Sequence, residues 1–183
     1  MKMKIQSRML GLILGLLLSL NSVVASTPQN DKVIIPGERI GNIRIGMPED
    51  EVYKSIGKPQ DAEAAMGTAA ETWVLPGGAK LSLILKRDDE GRRFYVKQIR
   101  IDSPDYVVSG AKVNVASPMH EIWKAFPETA YQSTKPSDPR RPVEIYSDMK
   151  RGIAFEILRE SQKSGDWGRC QAIIVHVPGN RAW

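Results

Sequence analysis

The sequence predicts an α+β fold of tandem repeats, each a short helical segment packed on an antiparallel sheet. Three observations predict it: the chain aligns with itself, each copy opens on a proline-led helical window, and period-two apolar runs follow that window. At a shift of seventy, Ile43, Ile45, Pro48, Glu51, Val52, Tyr53, Lys54 and Ile56 meet Val113, Val115, Pro118, Glu121, Ile122, Trp123, Lys124 and Phe126. At seventy-two, Leu81, Leu83 and Leu85 meet Ile153, Phe155 and Ile157. At seventy-four, Ile99, Ile101 and Pro104 meet Ile173, Val175 and Pro178. Two small loop insertions in the second copy account for the drift.

Residues 1–25 read as a signal peptide. Lys2, Lys4 and Arg8 precede an apolar run from Met9 to Leu20, and Val23-Val24-Ala25 supplies small residues for cleavage. The run is shorter than the ~20 residues of a spanning helix, so no stable membrane insertion is expected after cleavage. No Cys follows it to carry a lipid. The reading is therefore a periplasmic or secreted protein. Removal of the leader also changes the charge. The whole chain carries 26 Lys+Arg against 21 Asp+Glu, a net +5, and the leader takes three of the basic residues, leaving a net +2. Most of the basicity that suggests a nucleic-acid partner is thus an export signal. Arg92-Arg93 and Arg140-Arg141 sit beside acids or prolines and form no aromatic-interleaved stripe. No nucleic-acid partner is expected.

Residues 26–32 are a polar, disordered lead, residues 33–106 the first repeat, and residues 107–183 the second, packed with the first. Pro48 suits a first helical turn, Glu49, Asp50 and Glu51 complement the positive helix end, and Gly57 with Pro59 stops the helix. In the second copy Ser117 reads as the N-cap, Pro118 follows, and Pro127 ends the helix. Lys80 to Leu85 and Phe94 to Ile101 flank Asp88-Asp89-Glu90-Gly91 as a hairpin. Gly152 to Leu158 and Cys170 to Val177 flank Ser164 to Gly168 in the same way, and Thr72 to Leu75 and Val143 to Ser147 are weaker strands. A unit of about seventy residues is marginal alone, so the copies are expected to pack as one monomer.

The segment Ile43-Arg44-Ile45-Gly46-Met47-Pro48-Glu49-Asp50-Glu51-Val52-Tyr53-Lys54-Ser55-Ile56-Gly57-Lys58-Pro59 resembles the BamE/SmpA-type outer-membrane assembly lipoproteins. It is also similar to one repeat of the β-lactamase inhibitory protein fold, which carries two copies. The resemblance implies a helical segment on an antiparallel sheet in each repeat, and protein binding in the cell envelope without catalysis. It carries over no binding residue.

Catalytic motifs fail one by one. Gly41 to Gly46 has phosphate-loop glycine spacing, but Met47-Pro48 stands where Lys and Ser/Thr are needed. His120-Glu121 opens like a zinc-protease helix, but Lys124 holds the second ligand position. Cys170 and His176 lie about 20 Å apart on an extended strand, and no Gly-x-Ser-x-Gly elbow exists. One Cys rules out a disulfide framework, and two His disfavour a histidine metal centre. No enzyme activity, metal or cofactor is expected.

What remains is the sheet face turned away from the helices. With Leu81, Leu83, Leu85, Ile99, Ile101, Ile153, Phe155, Ile157, Ile173 and Val175 facing the core, alternation turns Ser82, Ile84, Gln98, Arg100, Asp102, Ala154, Glu156, Cys170, Ala172, Ile174 and His176 the other way. Ile84, Gln98, Arg100, Glu156, Ile174 and His176 from that set, with Trp167 in its Gly-flanked loop, are the candidate protein-binding residues. The expected function is an exported, non-enzymatic module that binds an envelope or extracellular protein through the sheet face and hairpin loops. A small-ligand or glycan carrier, or a small enzyme of another class, is the alternative.

Overall fold

The computed structural model describes residues 31–134, 142–159 and 168–182. The predicted signal peptide, most of the disordered lead, Arg140-Arg141 and the Ser164–Trp167 loop lie outside the described residues. Among these residues the chain is mostly β, with twelve strands and two short helices. β1 (Val33–Ile35), β2 (Arg39–Ile40), β3 (Ile43–Arg44) and β8 (Val107–Val108) form a small sheet in the order β3-β2-β1-β8. A large sheet contains β4 (Asp61–Ala65), β5 (Thr68–Val74), β6 (Lys80–Arg87), β7 (Phe94–Ile101), β9 (Ala130–Thr134), β10 (Val143–Asp148), β11 (Ile153–Leu158) and β12 (Arg169–His176). Its order is β4-β5-β6-β7-β12-β11-β10-β9: two antiparallel meanders joined where β7 meets β12.

The α+β expectation of helix-on-sheet repeats is therefore corrected. α1 (Glu49–Ile56) has 8 residues and fully buries Val52, and α2 (Met119–Ala125) has 7 and buries Met119 and Ile122. A helix of two turns gains too little from its own hydrogen bonds to form a layer. Each is confined by sequence, with Pro48 or Pro118 before it and Gly57 or Phe126-Pro127 after it. The layer facing the large sheet is instead shared with the small sheet, through Ile34, Ile40, Ile43 and Val108, and with Val113 and Val115. Pro118 rather than Ser117 occupies the second N-cap, and the Ser117 hydroxyl accepts the Asn114 N–H.

All ten residues predicted to face the core do so, in one cluster with Trp73, Val96, Phe126 and Cys170. Two β-bulges alter what the opposite face presents. Ile84 and Leu85 pair with Gln98 and Val96, so Lys97 is an extra residue in β7. Glu156 and Ile157 pair with Ala172 and Cys170, so Gln171 is an extra residue in β12. The shifts of seventy-two and seventy-four that align the sequence with itself carry one bulge onto the other. Each bulge breaks strict alternation. Cys170 consequently points into the core, not to the outer face as alternation predicts, and Lys97 turns to solvent.

One glycine joins the sheets. Gly152 has φ +69°, and a Cβ there would lie 2.4 Å from the His176 carbonyl oxygen and 2.8 Å from Gly37 Cα. Its own carbonyl accepts N–H groups from both Gly37 and His176. The first turn of the small sheet thus docks on the β10–β11 turn.

Candidate binding groove

Strand pairing sets Ile84, Gln98 and His176 side by side in a row across β6, β7 and β12. Together with Thr68, Lys86, Lys97, Val177, Asn180 and Arg181 they line a half-open groove of about 700 Å³ on the second face of the large sheet. This volume lies within the range of ligand pockets, roughly 300–1,000 Å³. Its far wall is the C-terminal segment. That segment turns back after β12, where the Gly179 N–H donates to the Met149 carbonyl, and Ala182 is buried with Ile145, Ala154 and Ile174.

The segment divides the second face. Over β10–β12, Ser147, Ala154, Glu156, Ala172, Ile174 and His176 are all buried. Alternation alone predicts an open surface there, because it cannot show that the chain returns to cover it. Over β5–β7, Thr72, Ser82 and Ile84 remain partly exposed. The candidate residues divide accordingly. Ile84, Gln98 and His176 meet in the groove. Arg100, Glu156 and Ile174 lie on the covered side, where Arg100 makes two parallel hydrogen bonds to Glu156, each of 2.9 Å. This bidentate pair satisfies a carboxylate that is 2% exposed. Trp167 lies outside the described residues.

Among the described residues, the three cations Lys86, Lys97 and Arg181 line the groove, no carboxylate does, and none of the three makes an ion pair. Two other concavities are balanced. One of about 600 Å³ contains the paired Asp31 and Arg39, and a smaller one of about 220 Å³ is flanked by the paired Lys32 and Asp105. Gln98 is 6% exposed, and its side-chain amide makes no hydrogen bond among the described residues. The groove therefore combines positive charge that makes no ion pair among the described residues with a side-chain amide that reaches the groove and has no partner among them.

His176 is occupied. Its Nδ1 lies 3.0 Å from the Val177 carbonyl, an acceptor only, so Nδ1 carries the proton and donates. Nε2 then accepts from the Ser147 hydroxyl at 3.2 Å. Burial lowers the imidazole pKa below its usual value. Ser147 and His176 have the contact of a nucleophile and its base, but Ser147 is 4% exposed and does not line the groove. Burial pushes the Cys170 thiol well above its usual range, where it is inert.

Sequence reasoning missed Lys86, Lys97, Asn180 and Arg181. The signal for Lys97 was present: strict alternation from Ile99 would bury a lysine, so a bulge beside it is required. Nothing local marks Arg181, because its place depends on the return of the chain end.

No protein-family model and no curated protein matches the chain. Among solved structures, it is similar to an extracellular protein containing an SCP domain from Bacillus anthracis, with a TM-score of 0.44 and 9% identity. The match covers 74% of this chain and 44% of that one, so the chain spans less than half the length of that protein. A likeness this shallow bears on neither fold nor function.

Proposed function

We propose that the chain is an exported, non-enzymatic binding module of the cell envelope, built from two copies of one unit, that holds an acidic region of a partner protein on the open half of its second sheet face. One observation carries this reading: Lys86, Lys97 and Arg181 surround one groove with no carboxylate among its described lining residues. Net charge after loss of the leader is only +2, so this local excess is a feature of the groove rather than of the whole surface. Uncompensated charge of one sign in a concavity steers a partner of the other sign. The coincident bulges support the reading of two copies. The BamE/SmpA-type resemblance of residues 43–59 and the leader support the envelope as the compartment.

The test is site-specific photo-crosslinking in the native host, with the full chain carrying the crosslinker at Ile84 or, as control, at Tyr131 on β9. Position 84 is expected to give a discrete protein adduct that Lys86→Glu with Lys97→Glu abolishes. Equal adducts from both positions, or none from position 84, would contradict the reading. A serine-reactive fluorophosphonate is expected to leave Ser147 unlabelled, and stoichiometric labelling would favour the enzyme reading instead.

A further inference from the structure

We infer that the part of the partner seated in the groove is an extended acidic peptide segment, with one of its backbone amides paired to the Gln98 side chain. This rests on the protein-binding reading above and adds the chemistry of what is bound.

Gln98 carries the inference. It stands in mid-sheet between Ile84 and His176, is 6% exposed, and presents an amide with no hydrogen bond among the described residues. Its neighbours are satisfied: Arg100 by Glu156, and His176 by Ser147 and Val177. A side-chain amide offers a carbonyl acceptor and N–H donors a short distance apart. A backbone amide meets both, and in an extended segment it is held in place by the neighbours whose charge the cations select. A lone phosphate or carboxylate would use the donors and set its negative charge against the Gln98 carbonyl oxygen. A cation would meet that oxygen but be repelled by Lys86, Lys97 and Arg181.

The lysines specify the rest of the segment. Lys97 reaches this face only through the bulge in β7, and the corresponding bulge in β12 presents the uncharged Gln171. Bulges re-aim side chains where a site needs them. In an extended segment, alternate side chains share one side. Acidic residues at positions i and i+2 would therefore flank the amide that meets Gln98, and both carboxylates would turn to the same side of the groove. Ile84 and Val177 supply apolar surface for the small residue between them.

The test uses fluorescence anisotropy with the full folded chain and labelled acetyl-Glu-Ala-Glu-Ala-Glu-amide. Its Gln-Ala-Gln-Ala-Gln counterpart and an ester analogue lacking one central N–H serve as comparisons. The acidic peptide is expected to bind about tenfold more tightly than the neutral one, the scale of one well-placed charge contact. Lys97→Glu should abolish the difference, and Lys112→Glu, on a distant exposed residue, should leave it intact. Gln98→Leu should weaken the acidic peptide by about three- to tenfold, the size of one net hydrogen bond. The ester should lose a similar factor against the wild type and nothing more against Gln98→Leu. Gln98→Glu keeps the shape and should bind worse than Gln98→Leu, which separates charge and pairing from any loss of fold.

Equal ester losses in wild type and Gln98→Leu would overturn the amide pairing. Displacement of the peptide by inorganic phosphate or glucose 1-phosphate at equal concentration would overturn the peptide class in favour of a small anion. If crosslinking at Ile84 depends on the lysines but acidic peptides fail to bind, this inference falls and the protein-binding reading stands. If the peptides bind but Ile84 captures no protein, the reading of the partner falls instead.

Discussion

On β6, Ser82 and Ile84 are partly open to solvent, whereas Ala154 and Glu156, seventy-two positions later on β11, are 0% and 2% exposed. The two strands share a core face: Leu81, Leu83 and Leu85 on one, Ile153, Phe155 and Ile157 on the other. They differ in what lies over the second face. The C-terminal segment turns back over this half, where Ala182 is buried with Ile145, Ala154 and Ile174. One half of the face is thus closed as a second small core. The other stays open, and the groove lies where the cover stops. The difference teaches that strand pattern alone decides which residues share a face, while the course of the chain end decides whether that face is a surface.

The same contrast appears under the helices. In the first half Tyr53 of α1 packs on Trp73 and donates its hydroxyl to Glu71; in the second, Trp123 of α2 packs on Tyr146, whose hydroxyl donates to Glu144. Each half therefore has one Trp, one Tyr and one Glu in reach of each other, with the aromatic types exchanged between helix and strand. Burial and the phenol's bond to Glu144 push the Tyr146 hydroxyl up to about 12.

The largest expected effect comes from charging the covered half. Ile174→Asp places an unpaired carboxylate at a 0% exposed site and should cost more than about 4 kcal/mol. Ile84→Asp, on the open half beside Lys86, should cost less than about 1 kcal/mol. Urea denaturation of the two variants measures the contrast directly, and similar losses would show that the face is not divided. Glu156→Ala should cost about 3 kcal/mol by leaving Arg100 without its bidentate partner, and the same denaturation series reports it.

The halves should also differ in the sign of their pH dependence. Burial, reinforced by Glu49, raises the Glu71 carboxyl above its ordinary 4.5. The folded state then holds more protons than the unfolded one above that value, so stability declines as pH rises from about 4.5 through the raised value. Burial lowers His176 below its ordinary 6.5. The unfolded state then takes up the proton first, so stability declines as pH falls below about 6.5. Glu71→Gln should flatten the first slope and leave the second, as read from melting temperature against pH. The smallest effect is at the β4–β5 turn, where Met66 has φ +50° and is fully exposed. Met66→Gly should stabilise the fold by about 0.5–1 kcal/mol in thermal melts by relieving that backbone.

Much of the large sheet was legible in the sequence. The runs at 80–85 and 153–158 alternate cleanly, whereas those at 94–101 and 170–177 each contain a bulge that interrupts the alternation. The small sheet and the edges were not. β4, with the sequence Asp-Ala-Glu-Ala-Ala, has residues depleted in strands and is exposed along its whole length. β2 and β3 are two residues each, held by close turns at Gly37 and Gly41 rather than by an apolar pattern. Both helices follow the prolines that the sequence shows, but two turns each cannot form a layer. Of the groove, the row Ile84, Gln98 and His176 followed from alternation. Arg181 and Asn180 did not, because a return of the chain end leaves no periodic trace. Cys170 faces the core rather than the second face because the extra residue Gln171 interrupts the alternation of β12.

The most direct test of the cationic groove as the contact surface is lysine footprinting of the full chain with and without the acetyl-Glu-Ala-Glu-Ala-Glu-amide peptide. Acetylation rates at Lys86 and Lys97 should fall together on binding, while Lys112 and Lys124, on the other side of the molecule from the groove, keep theirs. Protection spread evenly over all four lysines, or confined to the last two, would contradict it.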